Sequence, residues 1–319
     1  MTRELSAPPL LIGLGAGLAA ALLFASVVGG TMLALPLFLL TPLPLAIAAF
    51  GWGTVAGIVA GVTAVVTVAF GLGTPAAISL FLADAVPTLV AAHLLGLARF
   101  ADPNDPASRE WYPLGRVAIA LAIAIAVVTV IGGIAIGFDP QETAAHITSV
   151  LRRMAVRGGG ASEVADLTQI DPMVAATVRL MPAFFPASWS MVIVFDLWAA
   201  AKVVAKSGRM ARPRDDLAAV ELPPAAGLAF AAALVAAFVD GSLGLVASVV
   251  AGALFAVHFL VGAGVVHTLA RRSPARIIIL ASVWGLVLLF TLPVAAVALV
   301  GLLEPYLGLR RRRPSVGRF

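Results

Sequence analysis

The sequence predicts an all-α membrane protein, a polytopic helix bundle with about 8–10 transmembrane segments. The chain is 61% hydrophobic and only 12% charged, and its mean hydropathy is +1.06. Soluble domains are about 45–50% apolar and about 25% charged. The 21 Lys and Arg residues gather in a few loops and near the carboxyl terminus. That distribution is typical of topology determinants, so we expect membrane lipid and no nucleic acid as a partner.

The predicted spans are apolar stretches of roughly membrane length, since a transmembrane helix needs about 20 mostly apolar residues. They are Leu10–Val28, Met32–Phe50, Thr54–Leu72, Ala76–Leu97, Leu114–Gly137, Ala183–Val204, Ala225–Val239, Leu243–Leu269 and Ile277–Leu303.

The second stretch carries Pro36, Pro42 and Pro44, and Gly53, Gly57 and Gly61 follow it at intervals of four residues. Proline removes a backbone donor and clashes with the preceding turn, so we expect this span to be broken. Glycines four residues apart share one helix face and admit a second helix closely. Such a pattern is typical of carriers that build a site at a broken span, but alanine- and glycine-rich membrane helices show it without any site.

Basic loops predict the orientation, because cytoplasmic loops are enriched in Lys and Arg. The loops Arg99–Arg116, Lys202–Arg214 and Arg271–Arg276 are basic, whereas the connections near Gly29, Gly73 and Asp240 are not. This alternation places the amino terminus in the cytoplasm. Nine crossings would leave Arg310–Arg313 outside, so we expect a bent or re-entrant last segment that returns this tail; one long crossing is the alternative.

The largest region between spans, Phe138–Met181, is predicted to lie outside the cytoplasm. Asp139-Pro140 begins one amphipathic helix, Gly158–Gly160 ends it or forms a hinge, and Asp171-Pro172 begins a second helix that ends near Met181. These helices could lie in the membrane interface or form a lid over an outward-facing cavity.

Ionisable side chains within spans are the candidate ligand-binding residues, because each is unfavourable in hydrocarbon. Asp84 is followed by Pro87 and Thr88, and Asp196 shares a helix face with Trp189. Asp84 could contact a substrate or coupling ion, or could bond a carbonyl that Pro87 frees. An aromatic ring beside a buried acid suits an aromatic or cationic ligand, but Trp189 could instead be an interfacial anchor.

His258 completes the candidate set, although a single membrane histidine is more typical of a helix–helix hydrogen bond than of a ligand. No catalytic residue is predicted, because the chain has no cysteine, only four histidines and no recognisable hydrolase or phosphate-loop motif. We therefore expect neither an enzyme nor a cofactor nor a metal site.

Several stretches together resemble the YybS-like family of uncharacterised bacterial membrane proteins, defined only as a domain of unknown function. They are PLPLAIAAFGWGTVAGIVAG (Pro42–Gly61), Ala85-Val86-Pro87, HFLVGAGVVH (His258–His267) and GLLEPYLGLRRRR (Gly301–Arg313). That family is distantly similar to the S components of energy-coupling-factor vitamin transporters, which are six-helix bundles that work with an ATPase and a coupling subunit.

The resemblance implies a bacterial inner-membrane protein in which residues 1–206 form an S-component-like bundle with the insertion 138–181. Residues 207–224 would then form a cytoplasmic loop, and residues 225–319 would add membrane helices and a basic tail that a minimal S component lacks. The expected function is vitamin-like small-molecule binding or transport, with an ATPase or coupling module as partner. The alternative is a non-catalytic membrane scaffold or assembly factor that docks other membrane proteins.

Overall fold

Residues 7–102, 105, 108–157, 170–213, 220–271 and 273–310 are described by a computed structural model, and most of them are helical. The helices are α1 (Ala7–Ala25), α2 (Ala34–Leu39), α3 (Pro42–Trp52), α4 (Thr54–Leu72), α5 (Thr74–Leu80), α6 (Val86–Gly96), α7 (Leu114–Ala135), α8 (Pro140–Arg157), α9 (Ile170–Lys206), α10 (Pro224–Ala236), α11 (Ser242–Ala270), α12 (Arg276–Leu289) and α13 (Thr291–Leu307). A single 3₁₀ turn, Ser26–Gly29, follows α1, and a π-helical turn, Phe81–Ala85, joins α5 to α6. Two short strands, β1 (Ala98–Phe100) and β2 (Arg109–Trp111), pair antiparallel in one loop.

Seven helical stretches in the described part of the chain are long and apolar enough to cross a membrane, and the bent pair α12–α13 raises the number to eight. Many large apolar side chains point outward: Phe70 is 90% exposed and Leu22 is 74% exposed. Outward apolar surface of this extent is expected where the surrounding solvent is lipid. The prediction of an all-α membrane helix bundle is therefore confirmed.

The second span is broken, as its prolines predict. Helix α2 ends at Leu39 and α3 begins at Pro42. Pro42 has no N–H to donate to the carbonyl four residues earlier, that of Phe38. The Thr41 hydroxyl donates to this carbonyl instead, at 2.6 Å. The carbonyl group freed at this break is thus hydrogen-bonded within the chain, and Thr41 is fully buried there.

One end of the bundle brings together two of the three predicted cytoplasmic loops. Arg212 donates to the carbonyls of Leu95 and Tyr112 at 3.3 and 3.0 Å, and the Arg209 guanidinium lies 4.8 Å from the Trp52 ring centre. Two loops that are about 100 residues apart in the sequence therefore meet at the same end, as strict alternation of the spans requires.

At the opposite end of the bundle, the prediction of a separate second amphipathic helix is wrong. Residues from Asp171 onward belong to α9, a single helix of 37 residues that contains Pro182 and Pro186 and continues through the sixth span. Helix α8 packs against its first turns, and Arg152 forms an ion pair with Asp171. The predicted glycine hinge Gly158–Gly160 lies outside the described residues.

The seventh predicted span, Ala225–Val239, is also corrected. Its helix, α10, has 13 residues, or about 20 Å, which is too short to cross a bilayer. The chain before it is extended and buried at Leu222, which is 7% exposed. The carbonyl of Glu221 lies so close to Gly115 of α7 that a Cβ there would stand 1.9 Å from its oxygen. This crossing therefore combines an extended stretch with a short helix.

The last apolar segment is bent, as its length predicts. Helices α12 and α13 meet at 119° around Phe290. Beyond α13, Arg310 donates to the Val220 carbonyl at 2.9 Å and to Glu304 at 2.9 Å. Because Val220 belongs to the chain that leads from the Arg212 loop into α10, the start of the arginine tail lies at the basic end of the bundle.

Glycine contacts hold the helices of this one chain together. A Cβ at Gly17 of α1 would stand 2.4 Å from the Ala60 carbonyl oxygen of α4, and one at Gly252 of α11 would stand 1.9 Å from the Ala183 carbonyl oxygen of α9. Without a hydrophobic driving force in lipid, such backbone approach is a main source of helix association.

Candidate functional site

Asp84 lies in the π-helical turn between α5 and α6. Its side chain is 1% exposed and therefore points into the bundle. Pro87, three residues later, can donate no hydrogen bond to the carbonyl of Ala83. A wider π turn next to a proline disturbs the regular pattern of helix hydrogen bonds, and single π turns are frequent at functional sites.

Trp189 of α9 forms a hydrogen bond with the carbonyl group that Pro87 leaves without a donor. Its indole N–H donates to the Ala83 carbonyl at 2.7 Å. The ring is 9% exposed and lies between those of Phe38 and Phe185, at centroid distances of 5.8 and 5.7 Å. The anchor interpretation of Trp189 is therefore wrong, because the indole is bonded inside the bundle.

Asp196 lies two turns after Trp189 on the same face of α9 and is fully buried. Its carboxyl group is close enough to that of Asp84 for the two to interact electrostatically. Thr88 lies one helical turn after Asp84 and is likewise fully buried. We call these three residues the acidic cluster.

The oxygens of the acidic cluster have no hydrogen-bond partner in the part of the chain that the structure describes. This holds for both carboxyl oxygens of Asp84, both of Asp196 and the hydroxyl of Thr88. The carbonyl that Asp84 could have bonded is taken by Trp189. Buried polar groups in folded proteins are almost always hydrogen-bonded, so five such oxygens in one place require an explanation.

The walls around the acidic cluster are apolar. The buried residues packed in this region come from four helices and comprise Ala46, Ala91, Leu121, Ile125, Ile193 and Leu197. Helices α3 and α4 carry no ionisable residue, and α7 carries only Arg116, in its first turn. An ionised Asp at the centre of a membrane helix is unfavourable by about 2.5–3.5 kcal/mol on insertion scales, and this surrounding supplies no cationic side chain to offset it.

Two cavities flank the site without reaching its carboxyl groups. The first, of about 380 Å³, is an apolar groove between α4 and α6 that Gly61, Ala85 and Leu89 line. The second, of about 210 Å³, lies at the basic end and is lined by His93 and Arg212, among others. His93 accepts or donates a hydrogen bond with Thr54 at 3.1 Å and faces away from Asp84, as its nine-residue separation predicts.

His258 is not part of this site. It lies in α11, where its Nδ1 is 2.8 Å from the Leu254 carbonyl oxygen of its own helix, and its ring stacks on Phe230 at 4.9 Å. Its stacking partner Phe230 belongs to the cluster of buried residues formed by α7, α10 and α11. A stacked histidine bonded within its own helix explains its burial without a ligand.

Of the four predicted site residues, the structure thus brings together Asp84, Asp196 and Trp189. Sequence reasoning named Thr88 only as a neighbour of Asp84, although its spacing of four residues was the available signal. The bond from Trp189 to Ala83 was missed, because it joins residues 106 positions apart.

The fold and the site define a multi-pass membrane protein with two acidic side chains buried in its bundle. Comparisons of the chain with families of known proteins, with characterised proteins and with solved structures gave no match. The resemblance to the YybS-like family therefore stays a prediction.

Proposed function

We propose that this protein is a carrier of the bacterial inner membrane that binds a small, positively charged or polar solute within its first six spans. The observation that carries the proposal is the acidic cluster: two carboxyl groups from different parts of the bundle are buried within electrostatic range of each other and have no hydrogen-bond partner among the described residues. A solute that carries an amine would supply the missing donors and the missing positive charge.

The neighbouring residues support a site that opens and closes. The bond from Trp189 to Ala83 links α9 to the π-helical turn, and a π turn next to a proline is a place where helices bend. Movement of α9 at this point would expose both acids at once, because Trp189 and Asp196 lie on the same face.

The proposed arrangement in the membrane follows from the basic end of the bundle. The Arg212 loop, the chain at Val220 and Arg310 meet there, and the positive-inside rule places such an end in the cytoplasm. The amino terminus and the tail would then both be cytoplasmic, where an ATPase or coupling module could bind as it does to S components.

Thermal stability of the purified, full-length protein against a metabolite panel tests the proposal. A ligand that binds only the folded state at 100 times its dissociation constant stabilises by about 2.7 kcal/mol. We expect one or more cationic metabolites to raise the melting temperature of the wild-type protein and of Asp240→Asn, a control whose native carboxylate is 99% exposed. Asp84→Asn and Asp196→Asn should lose this response. A panel without any stabilising metabolite, tested at low and high pH, would contradict the proposal.

A scaffold or assembly factor is the second candidate, and one observation favours it. Helix α12 is apolar along its length yet contributes no buried residue, so its surface is available to lipid or to another protein. In contrast, the glycines that would dock other spans, such as Gly17 and Gly252, are already used in contacts within the chain. The proteins that co-purify from native membranes distinguish the two candidates: an ATPase module supports the carrier, and other membrane proteins in fixed ratio support the scaffold.

A further inference from the structure

We propose that the acidic cluster is a binding site for an exchangeable monovalent cation, H⁺ or Na⁺, held by Asp84 and Asp196 with the Thr88 hydroxyl as an additional ligand. This inference deepens the proposed function, since it names the ion that would occupy the same two acids when no solute is bound.

Charge is the first argument. All four carboxyl oxygens of Asp84 and Asp196 are buried without a partner among the described residues, and two buried carboxylates that interact in an apolar surrounding cannot both remain ionised without a neutralising cation. Among the described residues that form the walls, α3, α4 and α7 carry no lysine or histidine, and their one arginine, Arg116, lies in the first turn of α7. The described charged groups nearest along the same helices are His93, which is bonded to Thr54, and Lys202, which lies 4.1 Å from the Trp198 ring centre. Both lie toward the basic end of the bundle.

The neighbouring elements supply no other titratable group that faces the pair. Helices α3 and α4 contain none, and α7 contains only Arg116, in its first turn. On α9, the remaining charged residues are Asp171 and Arg179 toward one end and Lys202 and Lys206 toward the other. With no such group on the described neighbouring helices, the proposal assigns the neutralising charge to a cation from solution.

Thr88 is the second, independent observation. Its hydroxyl is fully buried and unpartnered, one helical turn from Asp84 on the same face. A threonine in a helix can bond its hydroxyl to a carbonyl in the preceding turn, as Thr129 does here with Ile125 at 2.7 Å. Thr88 does not, which leaves its oxygen available to ligate a cation or to donate to a carboxylate.

The donor set indicates a monovalent rather than a divalent ion. Transition metals and Ca²⁺ in proteins generally have three or more carboxylate, imidazole or thiolate ligands. In the described residues no group of three or more such side chains exists. Two carboxyl groups and one hydroxyl are sufficient for a shared proton or, with backbone carbonyls, for Na⁺.

The test uses the purified full-length protein without any solute. NaCl replaces choline chloride at constant ionic strength, at several pH values, and two quantities are measured: the melting temperature, and the infrared C=O band that only a protonated carboxyl group gives. A sodium site predicts a saturable rise in melting temperature with Na⁺, loss of the carboxylic acid band and release of protons into the medium. A proton site predicts no effect of Na⁺, and loss of both the band and the thermal stability as the pH rises, because the two bared carboxylates then repel each other.

Variants assign the response to the site. Asp84→Asn combined with Asp196→Asn should abolish it, and Asp240→Asn should leave it unchanged. Thr88→Val keeps the shape of the side chain and removes the hydroxyl, so we expect the Na⁺ affinity to fall about tenfold, with recovery in Thr88→Ser. If the double variant does not fold, the infrared band of the wild type and the Thr88 variants still decide the outcome.

A wild-type protein in which neither Na⁺ nor pH changes the band or the melting temperature would overturn the inference. Its failure is distinguishable from failure of the proposed carrier function. A cation response without any stabilising metabolite removes only the carrier, and a metabolite that binds independently of Na⁺ and pH removes only the cation site.

Discussion

The indole N–H of Trp189 donates a 2.7 Å hydrogen bond to the Ala83 carbonyl, the backbone acceptor that Pro87 leaves without its helical donor. A tryptophan in one span thus supplies the hydrogen bond that a proline in another span cannot donate. The same bond holds α9 against the π-helical turn that contains Asp84, and Asp196 lies two turns further along α9. The acidic cluster depends on this link between two helices.

Trp189→Phe removes the link while it keeps an aromatic ring between Phe38 and Phe185. Because the Ala83 carbonyl is then buried without a donor, we expect a loss of about 1–2 kcal/mol in the free energy of unfolding, measured as a lower melting temperature in detergent. Trp198→Phe is the control, since Trp198 is 42% exposed. Equal melting temperatures for the two variants would show that the bond contributes nothing.

Gly252→Ala tests the contact between α9 and α11. The new Cβ would stand 1.9 Å from the Ala183 carbonyl oxygen, and a backbone atom cannot rotate away as a side chain can. We expect destabilisation of about 3 kcal/mol or more, seen as a lower melting temperature or as aggregation on size-exclusion chromatography.

Gly132→Ala is the matched control for that substitution. Gly132 lies inside α7, and no atom lies within 4 Å of the position that its Cβ would take. Alanine is the better helix former, so the change should be neutral or stabilise by up to about 1 kcal/mol. Similar damage from both glycine substitutions would contradict the packing explanation.

Glu304 and Arg310 form an ion pair whose side chains are only 5% and 11% exposed. The Glu304 carboxylate also accepts from the backbone N–H groups of Leu309 and Arg310, at 3.0 and 3.2 Å. Glu304→Gln removes the carboxylate charge from the buried Arg310 guanidinium, and we expect a loss of about 3–5 kcal/mol in denaturant unfolding.

The chain contains a second Glu–Arg pair that serves as the control. Arg99 and Glu110 are 82% and 52% exposed, and solvent-exposed pairs contribute about 0–1 kcal/mol. Glu110→Gln should therefore change stability by less than about 1 kcal/mol. The prediction fails if the two substitutions have effects of equal size.

Single cysteines test the topology, since the natural chain has none. Ser207→Cys and Ser315→Cys should react with a membrane-impermeant maleimide from the same side of the membrane, because Arg310 bonds the Val220 carbonyl near the basic loop. Asp240→Cys should react from the opposite side, where its carboxylate lies 3.6 Å from Arg179. Labelling of Ser315→Cys together with Asp240→Cys would contradict a last segment that bends back.

Local sequence was sufficient for the elements whose physics is local. The spans follow from apolar length, the break before Pro42 from its missing N–H, and the bend of the last segment from a run too long for one span. Helix α10 was misjudged because apolar composition does not reveal that the chain at Leu222 is extended. The division of α9 near Met181 into an amphipathic helix and a span was wrong, because the helix continues through Pro182 and Pro186.

The sequence by itself determined that this chain crosses a membrane several times, and that Asp84 and Asp196 are unusual, because a bilayer penalises every charge and every unpaired backbone group in the same way. Only the tertiary structure decided that these two acids, 112 residues apart (196 − 84), are both buried near enough to interact electrostatically and that His258 does not join them. The reason is that helix contacts in lipid depend on which glycines let backbones approach and on which distant donor reaches a freed carbonyl, and neither is encoded in the neighbourhood of either acid.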